Sequence, residues 1–132
     1  IVASLIEGIT SAGIDVVDVG QVTSPALYFS THELKTGNGV MVTGSHNPPE
    51  YNGLKIVLDG HAIYGPQILS LLKLIETEKF NTGHGNVTTI DINERYMNRI
   101  KSDIKLTRPI KVSIDCGNGV AGFYASEVFK AL

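Results

Sequence analysis

Apolar positions near the start of the chain change from helical to extended spacing. Three of them recur on one face of a predicted helix: Leu5, Ile6 and Ile9. Gly13 follows as the C-terminal cap, since glycine readily adopts the left-handed conformation that ends many helices. Residues Ile14 to Val19 then favour a strand that Gly20 closes. The pattern therefore predicts a helix followed by a strand.

The second helix is predicted from its capping residues. Ser24 is the expected N-cap and Pro25 the first helical residue, a combination typical of helix starts. We expect this helix to run to about Lys35 and to break at the glycine-rich residues 37–39.

Two short runs on either side of residues 44–52 predict strands. Val40 to Thr43 is apolar on both faces, as in a strand at the centre of a sheet. Gly53 to Leu58 predicts the next strand, and Gly60 with its neighbours turns the chain. The polar segment between the two runs is expected to be a loop at one strand's end.

The second half of the chain continues the alternation. From Pro66, four apolar residues at helical spacing predict an amphipathic helix: Ile68, Leu71, Leu72 and Ile75. Residues 81–86 predict a loop. Asp91 and Glu94 suggest a capping box for another helix, which we expect to end at Arg108-Pro109.

The last segment predicts one more strand and one more helix. Lys111 to Cys116 favours the strand, and residues 117–122 open the helix. Strands that alternate with helices predict an α/β fold, a three-layer α/β/α sandwich with a mostly parallel mixed sheet. The proline before Lys111 places a domain boundary near residue 107, so we predict one domain over residues 1–106 and the start of a second over 107–132.

Composition narrows the class of protein. The 132 residues are 42% hydrophobic and 18% charged, as in an ordinary globular domain. A formal net charge of −2 without a basic stripe argues against a nucleic-acid partner. No apolar run reaches the length of a membrane span, and the single cysteine cannot form an internal disulfide. We therefore expect a cytoplasmic protein with no membrane partner.

Ser45 and His46 first suggest hydrolytic catalysis. Neighbouring residues in extended chain point to opposite sides, so we expect His46 to be poorly placed to accept the Ser45 proton. The G-x-S-x-G elbow of α/β hydrolases is also missing around Ser45. The sequence therefore disfavours a Ser–His hydrolase.

An exposed serine can instead carry a phosphoryl group. Gly44 permits close backbone approach, and Pro48-Pro49 stiffens the exit of the loop. A phosphoserine carries close to two negative charges at neutral pH and therefore needs cationic partners. Lys55, in the next predicted strand, could supply a positive charge or carry a proton.

Residues 43–57, which read TGSHNPPEYNGLKIV, resemble the active-site segment of the α-D-phosphohexomutase family. The similarity is greatest to its bacterial phosphomannomutase/phosphoglucomutase branch. Residues 115–122, DCGNGVAG, also resemble the opening of that family's second domain. Asp18-Val19-Gly20 and Ser24-Pro25 fit the same pattern, so the resemblance runs the full length of the chain.

The resemblance implies the first domain of a four-domain enzyme that interconverts the 6-phosphates and 1-phosphates of mannose or glucose. Ser45 would be the phosphoserine, and its phosphate would also help to bind Mg²⁺. Lys55 would be the general acid/base, while His46 and Asn47 would shape the phosphoryl site. The implied partners are the phosphosugar, hexose 1,6-bisphosphate and further domains of the same polypeptide.

Other parts of the family pattern do not occur in these residues. The three-aspartate metal loop and the sugar-recognition loop are missing, and Mg²⁺ needs several oxygen ligands. The chain starts at Ile1 and ends at Leu132 within predicted helices, so we expect an excised piece that is inactive alone.

Two other interpretations stay open. A phosphoglucosamine mutase belongs to the same family, but its loop usually has alanine at the position of Gly44. A nucleotide-binding module is suggested by Gly117 to Gly122, which match G-x-G-x-x-G. We favour a tight turn with close packing between a strand and a helix, because fingerprints of this length often occur without nucleotide binding. The scattered histidines, His32, His61 and His84, are expected at the surface.

Overall fold

The chain forms five helices and five strands, and the predicted α/β class is confirmed. The computed structural model describes residues 1–132. The helices are α1 (Val2–Ser11), α2 (Ser24–Glu33), α3 (Pro66–Thr77), α4 (Asn93–Asp103) and α5 (Gly122–Ala131). The strands are β1 (Val16–Asp18), β2 (Gly39–Val42), β3 (Leu54–Leu58), β4 (His61–Ala62) and β5 (Val87–Thr89).

The strands form two small sheets. β1 and β5 pair in parallel, with Val16 opposite Val87. β2, β3 and β4 form an antiparallel sheet in that order. Parallel pairing is therefore confined to one pair, because β2, β3 and β4 follow one another through short connections that can only return the chain antiparallel.

The turn between β3 and β4 follows directly from two residues. Asp59 and Gly60 have φ of 50° and 78°, and Leu58 pairs with His61 across them. A two-residue Asp-Gly loop with both φ positive matches the twist of a hairpin. The predicted turn at Gly60 is confirmed.

The helix ends follow the predicted signals at α1 but not at α2. Gly13 has φ of 84° directly after the Ala12 cap of α1, as predicted. At α2 the N-cap is Thr23, and no side chain caps the helix, so the prediction that Ser24 is the N-cap is wrong by one residue. The Ser24 hydroxyl does not cap the helix but contacts Lys55 and Met41.

The predicted start of α4 is also corrected. Asp91 accepts a hydrogen bond from the Asn93 amide at 2.8 Å, which forms a local Asx turn, and no capping box with Glu94 forms. The helix ends at Asp103, before Arg108-Pro109. Ile104 is already extended, so the helix stops without needing the proline.

The strand predicted at Lys111 to Cys116 is wrong. No strand forms there, and the apolar side chains of Val112 and Ile114 are 51% and 45% exposed. A strand needs a partner for its backbone groups, and none lies beside this segment. β5 was not predicted, although its β-branched residues are typical of a strand.

The core is small and is centred on α2. Four buried residues form its main cluster: Val22, Ala26, Leu27 and Ile92. Tyr96 of α4 packs against this cluster and contacts the ring of Tyr124 edge-on at 5.5 Å. The Tyr124 hydroxyl donates to Asn93 Oδ1 at 2.6 Å, so α2, α4 and α5 are held as one unit.

The apolar face predicted for α3 exists but is not covered. Ile68, Leu72 and Ile75 are 48%, 50% and 60% exposed. A cavity of about 760 Å³ also lies beside β1 and β2, where the two sheets do not pair. None of the five helices has the length and apolar character needed to cross a bilayer.

Candidate active site

Residues 43–53 connect β2 to β3 and form the loop that carries Ser45, here called the serine loop. Its base is closed by a hydrogen bond from the Thr43 amide to the Gly53 carbonyl at 2.9 Å. A Cβ added at Gly53 would lie 2.9 Å from the Thr43 carbonyl oxygen, and one added at Gly44 would lie 3.0 Å from that of Tyr51. The base is therefore a close backbone contact in which a side chain at Gly53 would force a shift, whereas one at Gly44 would need a smaller adjustment.

Ser45 occupies a backbone conformation that is unusual for serine. Its φ is 53°, in the left-handed region, and its side chain is exposed. Its amide donates to Thr43 Oγ1 at 3.1 Å, and the Asn47 amide donates to the Gly44 carbonyl at 3.0 Å. These bonds hold the turn, so the hydroxyl is presented to solvent from a fixed loop.

The prediction that His46 is poorly placed for Ser45 is wrong. Ser45 Oγ and His46 Nδ1 lie 3.2 Å apart, within hydrogen-bond distance. The alternation of side chains holds only in extended backbone, and the left-handed φ of Ser45 turns the two side chains to the same side. No carboxylate contacts His46, so the arrangement still lacks the third member of a hydrolase triad.

Asn47 lies on the same exposed turn. Only its backbone is bonded, and its side-chain amide remains available to solvent. Ser45, His46 and Asn47 therefore present a hydroxyl, an imidazole and an amide side by side, groups that can all contact phosphoryl oxygens.

Lys55 does not contact Ser45 in this structure. It lies in β3 directly opposite Met41 of β2, and its Nζ donates to Ser24 Oγ at 3.0 Å. The Ser24 hydroxyl in turn is 3.2 Å from Met41 Sδ. Sequence reasoning assigned Ser24 to helix capping and so missed its contact with Lys55, which no local pattern signals.

The residues present do not fit a Mg²⁺ site. No group of three or more His, Cys, Asp or Glu side chains is placed to hold a metal ion. Ser45, predicted as a metal ligand through its phosphate, has no carboxylate bonded to it. Mg²⁺ takes oxygen ligands in near-octahedral geometry, and this chain supplies too few of them.

The glycines of 117–122 form a tight turn before α5. Gly117 has φ of 53°, and its amide donates to Asp115 Oδ1 at 2.8 Å. A Cβ at Gly119 would lie 3.1 Å from the Cys116 carbonyl oxygen. The dinucleotide fingerprint requires a strand before its first glycine, and no strand precedes Gly117. The turn therefore does not support nucleotide binding.

Comparison with known proteins tests the resemblance. The family model described as phosphoglucomutase/phosphomannomutase, alpha/beta/alpha domain I, matches residues 1–82, which include the whole serine loop and Lys55. The chain belongs to the phosphoglucomutase/phosphomannomutase family. The predicted resemblance is thereby confirmed.

Individual members of the family match along nearly the whole chain. A phosphomannomutase/phosphoglucomutase from Pseudomonas aeruginosa is 46% identical over 132 residues, which are 100% of this chain and 28% of that protein. A phosphoglucomutase from Neisseria meningitidis is 47% identical over 127 residues, covering 95% and 28% respectively.

A solved structure shows the same fold. The crystal structure of a phosphoglucomutase/phosphomannomutase family protein from Burkholderia thailandensis matches with a TM-score of 0.87 and 46% identity. The match covers 99% of this chain and 30% of that one. The chain thus spans less than a third of the length of the curated relatives it matches.

Proposed function

We propose that the longer protein containing these residues is a phosphohexomutase that interconverts hexose 6-phosphates and hexose 1-phosphates of mannose or glucose. Ser45 is the phosphoryl carrier. The observation that carries the proposal is the exposed Ser45 hydroxyl on a closed loop inside the region that matches the family's domain I.

The transfer exchanges one P–O bond for another. The bond from phosphorus to Ser45 Oγ breaks, and a bond from phosphorus to a sugar hydroxyl oxygen forms, which gives a bisphosphorylated sugar. The sugar hydroxyl loses its proton, and Ser45 Oγ gains a proton. When the bisphosphate has turned over in the site, its other phosphoryl group returns to Ser45 with the opposite proton movement. Such transfers depend mostly on positioning and on neutralising charge.

The side chains of Lys55, His46 and Asn47 suit these steps. Lys55 acts as the general acid/base, and its ammonium group also offsets phosphoryl charge. Its contact with Ser24 places it on the α2 side of the β2–β3 hairpin. His46 holds Ser45 Oγ at 3.2 Å, and the Asn47 amide can donate to a phosphoryl oxygen. Together they orient the group that is transferred.

We further propose Mg²⁺ as the cofactor, with the Ser45 phosphate as one of its ligands. Because the residues of this chain do not form a metal site, the remaining ligands must come from other parts of the longer protein. The same applies to sugar recognition. We therefore expect the 132 residues to be inactive alone, and mutase activity of this chain with Mg²⁺ and hexose 1,6-bisphosphate would contradict that expectation.

The limits of the two domains and the cytoplasmic location also remain predictions. The domain I match ends at residue 82, whereas the predicted boundary is near 107. Limited proteolysis of the longer protein should cut near residue 107 if the boundary lies there.

Intact-protein mass spectrometry and turnover of the longer protein test the role of Ser45. We expect one phosphoryl group on the parent and its loss, together with mutase activity, in Ser45→Ala. Ser70→Ala is the matched control, because Ser70 is an exposed serine whose hydroxyl bonds only the Gln67 carbonyl of its own helix. An active Ser45→Ala variant and an unphosphorylated parent would refute the proposal.

The preferred hexose is tested by comparing turnover of mannose, glucose and glucosamine 6-phosphates. Preference for mannose or glucose supports the proposed branch of the family. Preference for glucosamine 6-phosphate would favour the phosphoglucosamine mutase alternative, in which alanine usually replaces Gly44.

A further inference from the structure

Ser24 makes a contact that its position in the sequence does not explain. It is the first residue of α2, yet its hydroxyl caps nothing and lies between Lys55 Nζ, at 3.0 Å, and Met41 Sδ, at 3.2 Å. We propose that Ser24 is a positioning residue that fixes the Lys55 ammonium group for phosphoryl transfer at Ser45. This inference rests on the proposed function and adds a residue to it.

The direction of the two hydrogen bonds is determined by their chemistry. A serine hydroxyl has one proton, and a thioether sulfur can only accept, so the Ser24 hydroxyl donates to Met41 Sδ. Its oxygen is then left to accept from Lys55. An ammonium group has three N–H donors, so one is held by Ser24 and two remain for phosphoryl oxygens.

Both ends of the contact are held by separate rigid elements. Ser24 is fixed by α2, whose residues Ala26 and Leu27 lie in the core, and by Pro25, which restricts the backbone. Lys55 and Met41 are direct cross-strand neighbours in the β2–β3 hairpin. The contact therefore joins α2 to the hairpin and determines where the end of a long lysine side chain can lie.

A flexible lysine would otherwise explore many rotamers. Its side chain is exposed and has four rotatable carbon–carbon bonds, so holding it in one geometry costs rotamer entropy. Ser24 removes part of that freedom before substrate arrives, which favours the reactive geometry rather than substrate binding. The expected signature is therefore a change in kcat with little change in KM.

Steady-state kinetics of the longer protein with glucose 1-phosphate test the inference. Ser24→Val should lower kcat by roughly ten- to a hundredfold, the scale on which small misplacements act, while KM stays close to that of the parent. Ser24→Thr, which has the same shape as valine but keeps the hydroxyl, should restore most of kcat. Ser24→Ala is the second variant in case valine disturbs folding, since alanine is tolerated in the first turn of a helix.

Ser30→Ala is the matched control in the same helix. The Ser30 hydroxyl is buried and donates only to the Leu27 carbonyl at 2.7 Å, so its loss tests helix integrity without touching Lys55. We expect kcat of Ser30→Ala to match the parent. An equal loss in Ser30→Ala and Ser24→Ala would overturn the inference, since it would point to helix stability alone.

A double-mutant cycle separates this inference from the proposed function. Lys55→Gln should lower kcat strongly, and adding Ser24→Val should cost nothing further if Ser24 acts through Lys55. Full activity of Lys55→Gln would refute the role of Lys55 itself. If Lys55→Gln has a low kcat and the double variant is lower again by the same factor that Ser24→Val shows alone, only the positioning role of Ser24 is overturned.

Discussion

The left-handed backbone conformation of Ser45 leads to a prediction about stability that can be checked without an enzyme assay. Replacing Ser45 with glycine should stabilise the fold, although it removes the proposed phosphoryl carrier. Glycine has no Cβ to clash at φ of 53°, whereas serine does. Ser45→Ala keeps the clash and loses an exposed hydroxyl together with its contact to His46 Nδ1.

Two opposing contributions set the size of the effect. A left-handed conformation costs a non-glycine residue about 1–2 kcal/mol. Glycine's extra freedom in the unfolded chain costs about 0.5–1 kcal/mol in return. Ser45→Gly should therefore raise the free energy of unfolding by up to about 1.5 kcal/mol, while Ser45→Ala, at an exposed site, should stay within about 0.5 kcal/mol of the parent.

Urea unfolding of the 132-residue chain, followed by circular dichroism, measures these differences. Glu78→Gly is a positive comparator, because Glu78 has φ of 51° at the exposed C-cap of α3. Ser70→Gly is the negative comparator, because Ser70 is an exposed serine in the interior of α3 whose replacement should destabilise by roughly 0.5 kcal/mol. If Ser45→Gly destabilises the chain as Ser70→Gly does, the backbone at Ser45 is not strained and the reasoning fails.

Three further predictions concern the fold. Burial raises the pKa of the Tyr124 phenol above its ordinary value of 10.0, so the unfolded chain ionises first. The free energy of unfolding should then fall by up to about 1.4 kcal/mol per pH unit above pH 10, until the folded phenol also titrates. Urea unfolding at pH 9 and pH 11 measures this fall, which should be smaller in Tyr124→Phe because that variant lacks the phenol. A Cβ at Gly85 would overlap the Ile14 carbonyl, so Gly85→Ala should lower the free energy of unfolding by about 1–3 kcal/mol. Gly8→Ala, in α1 with open space around it, should instead raise it by roughly 0.5–1 kcal/mol in the same assay.

The parts of the fold that were predictable depend on local backbone preferences. Gly13 ends α1, Asp59-Gly60 turns the β3–β4 hairpin, and Pro66 begins α3. The absence of a strand at residues 111–116 was not predictable in the same way, because a strand exists only when another strand satisfies its backbone groups. The same reason hides β5, whose three residues become a strand only by pairing with β1.

The sequence predicts the residues of the candidate site but not the contacts between them. The loop sequence predicts Ser45 and Lys55 as candidate site residues, yet the alternation of side chains in extended chain predicted the wrong side for His46. One left-handed residue reverses that outcome, and serine gives no sequence signal for it. Ser24 lies 31 positions from Lys55, a separation at which no local pattern reports contact.

Helix α2 contributes both to the core of the fold and to the candidate site. Its buried residues Ala26 and Leu27 anchor the core, and its first residue, Ser24, holds Lys55. If Ser24 positions Lys55 as proposed, a lineage that adapts to a warmer or colder habitat by repacking this helix would alter turnover in the same step. Evolutionary change in heat tolerance should therefore accumulate in distant elements such as α3, while α2 changes slowly.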